Sequence, residues 1–286
     1  MINQFLRHKS KKFNSKKISK KEISHSKRVL FSVFTRYGDT IINLVVIKEF
    51  IDKFPNKDYM ILTPPQMEPY VEILLPNIPR YSINKRNPIQ MFNANKLLRN
   101  WSPDLGFNPW SNGLDSCYFL TYAKKYFCYK DFVFKLPVNH YDVVRKYLQL
   151  PLQQNNFRFS RPKNRYKRVL ICPDSTDKKR SINDDELINI VEKINKKYNA
   201  SITIAFMNTN ALKNYDFVSY FEFKKTRHSS ENFLRVMNDS DLVISADSAP
   251  MHIALALDKD TCGIFKTTKK EFVVNNNSKL IRYDEL

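Results

Sequence analysis

The apolar pattern begins at "RVLFSVF" (28–34), a short uninterrupted run of buried-strand type. After "TRYGDT", the stretch "IINLVVIKEFIDKF" (41–54) is too long for a strand and apolar almost all round, which predicts a buried helix. "YMILT" (59–63) predicts the next strand, and Pro64 and Pro65 then open a helix to about Leu75, since a first helical turn accommodates proline. "RYSI" predicts a strand, "NPIQMFNANKLLRNW" a helix, "DLGFNPW" a strand and turn, and "NGLDSCYFLTYAKKY" another helix. Strands alternating with helices at this rhythm predict a parallel sheet covered on both faces.

Between residues 131 and 167 the pattern weakens. A helix-like piece, "HYDVVRKYLQL", precedes the polar, basic "PLQQNNFRFSRPKNRYK", which reads as an interdomain linker over 151–167. The alternation then restarts. "RVLICP" is a strand, and "DDELINIVEKINKKY" is an amphipathic helix with acids in its first turn and lysines in its last. "SITIAF" and "DFVSYFEF" are strands, and "SSENFLRVMNDS" is a helix with Ser229 or Ser230 as its cap. "DLVISADSAPMHIALALDKDTCGIF" (241–265) closes the series as strand, junction, helix and strand. The expected organisation is a tail over 1–27, an α/β domain over 28–150, the linker, and a second α/β domain over 168–286, with no sequence repeat between the halves.

A chain of 286 residues, 42% hydrophobic and 13% aromatic, can fill two cores. The four cysteines, at 117, 128, 172 and 262, form no CxxC pair and no zinc spacing with histidine, so free thiols in a reducing compartment are expected. No apolar run reaches the roughly 18 residues of a membrane span, and the N-terminus lacks the apolar core of a secretory signal. A soluble, cytoplasmic protein is the expectation. Charge sharpens the picture: the net value is +20, and residues 1–28 hold ten Lys or Arg against one acid, Glu22. A solvated, disordered basic tail is expected over 1–27. Its partner is either anionic lipid, each cation contributing about 1 kcal/mol near the surface, or nucleic acid.

The junction in 241–265 carries the candidate chemistry. Ligands of an open parallel sheet bind where strands end and helices begin, and a helix N-terminus suits phosphate. Ser248 or Asp247 can cap the helix there, and Pro250 fits its first turn. The complete stretch resembles the C-terminal signature of glycosyltransferase family 9, the bacterial heptosyltransferases of lipopolysaccharide synthesis. Asp247, Ser248, Pro250, Met251 and His252 match; Ala249 replaces a usual Gly, and Lys266 stands where a Gly often follows. "RYGDTIINLVVIKEF" resembles the family's first strand–loop–helix at Gly38 and Asp39. "PDLGFNPWSNGLDS" resembles the segment after the fourth strand. "DSTDKKRSINDDE" resembles the second-domain loop at Ser175, Lys179 and Arg180, with Ser181 and Ile182 replacing Trp-Pro. The family's Gly-rich turn with an acid has no counterpart in "AFMNTNALKNYDF", and the closing helices look shortened or absent.

The resemblance implies two Rossmann-like parallel-sheet domains facing each other across a cleft, the GT-B arrangement. It implies an inverting glycosyltransferase, with no metal and no cofactor, that moves heptose or another sugar from a nucleotide-diphosphate donor such as ADP-heptose. The acceptor would be a lipid-linked glycan, the lipopolysaccharide core or a related one, at the cytoplasmic face of the inner membrane. Asp39 would be the base, and Lys179 would neutralise the departing diphosphate. Gly38, Arg180, Asp247, Ser248, Ala249, Met251 and His252 would bind substrates. Asp39 is otherwise a helix cap, Lys179 a solvated lysine, and His252 a packing residue. A non-catalytic or altered-specificity relative that binds glycan or protein is the alternative function. Nucleic acid ranks last as a partner, since no motif for it accompanies the charge.

Overall fold

A computed structural model of the chain describes residues 15–111, 113–133, 139–153, 159–207, 216–275, 278 and 280–286. The chain divides into two compact units, Met1–Leu152 and Gln153–Leu286.

Unit 1 starts earlier than expected. Lys20–His25 form a helix, α1, opened by a full capping box between Ser19 and Glu22. Ile18 and Ile23, which flank that box in the staple positions, are both buried. The expected disordered tail over 1–27 is corrected only over 15–27, which fold onto unit 1; residues 1–14 lie outside the described ones. Two apolar anchors and a capping motif outweigh the surrounding lysines, and Glu22 also pairs with Lys125.

The elements of unit 1 then follow as β1 (Arg28–Ser32), α2 (Tyr37–Lys53), β2 (Asp58–Thr63), α3 (Glu68–Leu74), β3 (Arg80–Ser82), α4 (Pro88–Trp101), β4 (Leu105–Phe107), α5 (Leu114–Leu120), β5 (Lys125–Phe127) and α6 (His140–Tyr147). All strand pairs are parallel, in the order β3-β2-β1-β4-β5. Strand period places Leu30 in a core with Leu62, Met91, Leu98 and Phe119. Phe31 turns to the other face, against Phe50 at 5.6 Å and Phe107 at 5.9 Å. β5 corrects the helix expected to continue through Tyr126: pairing with β4 overrides the helical propensity of the lysines.

A buried ion cluster joins α2 to α6. The Arg145 side chain is 1% exposed; its Nε and Nη2 donate to both oxygens of Glu49 at 2.7 Å, and its Nη1 donates to Asp142 at 2.8 Å. The fork geometry of guanidinium satisfies both carboxylates at once.

Unit 2 contains β6 (Arg168–Cys172), α7 (Asp184–Tyr198), β7 (Ser201–Phe206), β8 (Val218–Glu222), α8 (Arg227–Asp239), β9 (Leu242–Ala246), α9 (Ala249–Ala256), β10 (Asp260–Ile264), α10 (Lys270–Val273) and β11 (Leu280–Ile281). Its parallel sheet runs β11-β10-β9-β6-β7-β8. The cap of α8 is Thr226, whose hydroxyl accepts from the Ser229 amide at 3.1 Å, and not Ser229 or Ser230; both serines lie inside the helix. Of the stretch read as linker, 154–158 lie outside the described residues. Beyond it, Phe159 bridges to Leu280 and Tyr166 is buried in the core of unit 2.

One device recurs in both units. Asp104, just before β4, accepts from the Lys27 and Arg28 amides at 2.9 and 3.0 Å. Asp241, just before β9, accepts from the Lys167 and Arg168 amides at 2.9 Å each. Each carboxylate ties the start of one central strand to its neighbour. No helix among the described residues is long and apolar enough to cross a membrane.

Candidate active site

Both sheets share the strand order in which the chain turns away in opposite directions from two neighbouring central strands, and the carboxyl ends of those strands frame a ligand crevice. In unit 2 the pair is β6 and β9; in unit 1 it is β1 and β4.

At the unit 2 crevice, β9 is buried throughout and delivers Asp247, 1% exposed, to the start of α9. Arg180 Nη1 donates to Asp247 Oδ2 at 3.2 Å. Ser248 is the N-cap by position, yet its side chain makes no capping bond, and its buried Oγ has no hydrogen-bond partner among the described residues. The capping role expected of Asp247 or Ser248 is not taken up. The first-turn amides of α9 thus keep their positive end free of a side-chain cap.

The loop from β6 brings the other half. The Ser175 amide donates to Ser181 Oγ at 2.9 Å, and Ser175 Oγ donates to the Asp247 carbonyl at 3.4 Å. Asp177 caps a short 3-10 turn, Lys178–Arg180, by accepting from the Lys179 amide at 3.1 Å. That turn sends Arg180 to Asp247 and leaves Lys179 exposed. Lys266 donates to the Ser181 carbonyl at 2.7 Å and pairs with Glu186, fastening this loop to α7. Arg180, Asp247, Ser248 and Ala249 therefore cluster. Met251 is fully buried in an apolar cluster with Leu255 and Val273, and His252 is buried behind the first turn. The region of the absent Gly-rich turn, at 208–215, lies outside the described residues.

At the unit 1 crevice, Gly38 and Asp39 fall in the first turn of α2, whose N-cap Arg36 makes no side-chain cap. Asp39 is half-buried; burial pushes its carboxyl up to about 6, with the nearby Arg36 charge pulling the other way. One turn on, Asn43 Nδ2 donates to the Pro109 carbonyl at 2.8 Å. Ser111 Oγ donates to the Phe34 carbonyl at 3.5 Å. Between those anchors stands Trp110, in left-handed backbone with φ 46°. Its ring lies 5.7 Å from Tyr129 and 4.7 Å from His140. Asn108 holds the loop from inside: Nδ2 donates to Ser116 Oγ at 2.9 Å, and Oδ1 accepts from the Tyr129 amide at 2.8 Å. Trp110, Tyr129 and His140 escaped the sequence reading, although "NPW" already marked an aromatic directly after a strand.

Chemically, the unit 2 crevice offers a cationic guanidinium, a helix N-terminus and a free hydroxyl beside a buried carboxylate. This set suits a diphosphate together with sugar hydroxyls. The unit 1 crevice offers a carboxylate whose proton affinity suits a general base near neutral pH. Among the described residues, no group of three or more His, Cys, Asp or Glu could hold a metal ion.

Residues 227–283 match the profile of glycosyltransferase family 9 (heptosyltransferase). Among curated proteins, no relative matches the chain. Solved structures share its fold. The E. coli heptosyltransferase WaaC with ADP aligns at TM-score 0.64 and 11% identity, over 90% of this chain and 93% of that one. The glycosyl transferase family 9 protein from Veillonella parvula DSM 2008 aligns at TM-score 0.66 and 12% identity, over 92% and 88%. The E. coli ADP-heptose lps heptosyltransferase II aligns at TM-score 0.65 and 12% identity, over 89% of each. The fold is the two-domain GT-B one of these heptosyltransferases, as the signature implied.

Proposed function

From the premise that this is a heptosyltransferase-like glycosyltransferase of the family 9 kind, we propose that it transfers heptose, or a related sugar, from a nucleoside-diphosphate donor to a glycan hydroxyl with inversion. ADP-heptose is the donor this reading favours, because WaaC has been solved both with ADP and with ADP-2-deoxy-2-fluoro heptose. The observation that carries it is the Arg180–Asp247 pair beside an uncapped helix N-terminus at the unit 2 crevice. Asp39 takes the proton of the acceptor hydroxyl as its oxygen bonds to the anomeric carbon. The bond from that carbon to the diphosphate breaks, and the electron pair leaves with the phosphate oxygen. Arg180, the first-turn amides of α9 and Lys179 offset the charge that develops there. Asp247 accepts from sugar hydroxyls, and Ser248 Oγ supplies a hydrogen bond that the protein itself leaves unmade. The acceptor on this reading is a lipid-linked glycan of the lipopolysaccharide-core type.

Two amide variants test the roles separately. Asp39→Asn should leave donor affinity near wild type and lower turnover by about 100-fold or more. Asp247→Asn should weaken donor binding, because a charge-assisted bond becomes a neutral one. Donor titration and initial rates on both decide the matter; wild-type turnover in both variants removes the assignment, and a wild-type chain that binds no sugar nucleotide favours a non-catalytic relative.

A further inference from the structure

The two faces of α4 obey different rules. Asn87 sets the start of the helix by accepting from the Ile89 and Gln90 amides at 3.0 and 3.2 Å, and Pro88 fills the first turn. Met91, Ala94 and Leu98 then enter the unit 1 core with Leu30 and Leu62. That stripe holds the helix in place by itself. The opposite stripe, exposed at 89, 92, 93, 96 and 99, nevertheless opens with Ile89, 69% exposed, and Phe92, 67% exposed. A lone exposed apolar side chain is ordinary in a folded protein. Three residues apart on one helix face, these two are neighbours and form one bare apolar patch.

Charge surrounds the pair. Arg86 precedes the helix, and Lys96 and Arg99 follow Phe92 by one and two turns on the exposed stripe. From Ile83 to Pro103 the chain holds four cations, Lys85 among them, and no acid. The next acid, Asp104, is already engaged by the Lys27 and Arg28 amides and by Lys124. The patch is therefore apolar at its centre and cationic at both ends. A second copy of a chain with net charge +20 would bring more cations to it, and the phosphates of a nucleic acid leave an isoleucine nothing to rest on. An anionic bilayer answers both features. The apolar pair enters the boundary between headgroups and acyl chains, while the long stems of Arg86, Lys96 and Arg99 keep their charges among the headgroup phosphates.

We propose that the exposed face of α4, with Ile89 and Phe92 at its centre and Arg86, Lys96 and Arg99 around them, is a docking surface for an anionic phospholipid bilayer. The helix lies in the plane of the interface. This surface stands apart from the transfer chemistry and from the cations of residues 1–14. It is made of side chains that the folded core neither uses nor covers.

All four native cysteines are buried, so a polarity-sensitive fluorophore can be attached through Asn93→Cys, beside the apolar pair, without altering it. A second label, through Asp52→Cys on α2, lies across the sheet, because α2 packs on the Phe31 face and α4 on the Leu30 face. With full-length chain and vesicles of phosphatidylglycerol and phosphatidylethanolamine, the label at 93 should shift to the blue and the label at 52 should not. Ile89→Ser with Phe92→Ser should remove that shift. The same pair should weaken sedimentation with the vesicles by about 10-fold or more at about 0.5 M salt, where screening silences most of the contribution of residues 1–14. Arg86→Glu with Lys96→Glu should weaken it about as much at about 0.1 M salt. Both pairs of changes lie on the solvent face, so the urea midpoint should stay at the wild-type value; if either pair fails to fold, the label at 93 decides alone. An unmoved label at 93 overturns the proposal even where the chain sediments, since binding then belongs to another surface, and a shift at 52 instead does the same. An equal shift on neutral phosphatidylcholine overturns the anionic surface. A shift at 93 brought on by concentrating the protein alone, or by RNA and not by vesicles, gives the patch to a second copy or to nucleic acid and overturns the bilayer.

Discussion

An aspartate held at a pKa of about 6, against 3.8 in an ordinary setting, is a liability wherever it is ionised. The sign follows from linkage. A raised folded-state value favours the protonated native chain, so the contribution is favourable below about pH 4 and is lost as pH rises through about 6. The shift corresponds to at most about 3 kcal/mol. Asp39→Asn should therefore be more stable than wild type by about 1–3 kcal/mol at pH 7.5 in urea titrations, with the gain gone near pH 3.5. If Asp39 is the base, kcat/KM of the wild type should fall about tenfold per pH unit below pH 6. A wild-type profile flat to pH 5 would separate the stability effect from catalysis. Asp39 and Asp247 could be read as candidates because each sits in a short motif at a strand–helix junction. Arg180 could not be told from Lys179, since only the 3-10 turn decides which of two adjacent cations reaches Asp247. Trp110 was hidden for another reason: its backbone angle and its neighbours are tertiary facts.

At the scale of elements, α1 is the correction with most consequence. Its six residues are far too few to hold a helix alone, so the two isoleucines and the capping box must supply the stability. Ile23→Ala should cost unit 1 about 2–5 kcal/mol and Ser19→Ala about 1 kcal/mol. Both are readable in urea through tryptophan emission, because Trp101 and Trp110 belong to unit 1. No change in either variant would mean that the helix is not docked in solution. The motif was there to be read, as Ser19-x-x-Glu22 between Ile18 and Ile23, but ten cations in 28 residues drew attention to charge instead of to spacing. The long buried helices and central strands were plain from periodicity. β5 was not, because three residues at a sheet edge are fixed by pairing and not by their own pattern.

For the whole molecule, alternation announced two α/β halves, but strand order, and with it the place of each crevice, is absent from any local pattern. The basic N-terminus is proposed to hold the protein at an anionic membrane surface, beside its lipid-linked acceptor. Four of the ten cations lie in residues 1–14, and the other six belong to the segment that carries α1 and the start of β1. Deleting residues 2–14 spares α1 and should weaken sedimentation with phosphatidylglycerol vesicles, by about 1 kcal/mol per cation at most. The loss should shrink as salt is raised. Equal sedimentation of both chains would dismiss the tail as a lipid contact, and tight, salt-sensitive RNA binding would redirect it to nucleic acid. A last consequence concerns descent. Arg145 is 1% exposed and holds two carboxylates at once, so removing the guanidinium should cost about 3–5 kcal/mol, whereas removing one carboxylate leaves the other pair in place. Drift should therefore seldom remove Arg145 while Glu49 and Asp142 both remain. Close relatives, when compared, should keep the arginine wherever both carboxylates are kept.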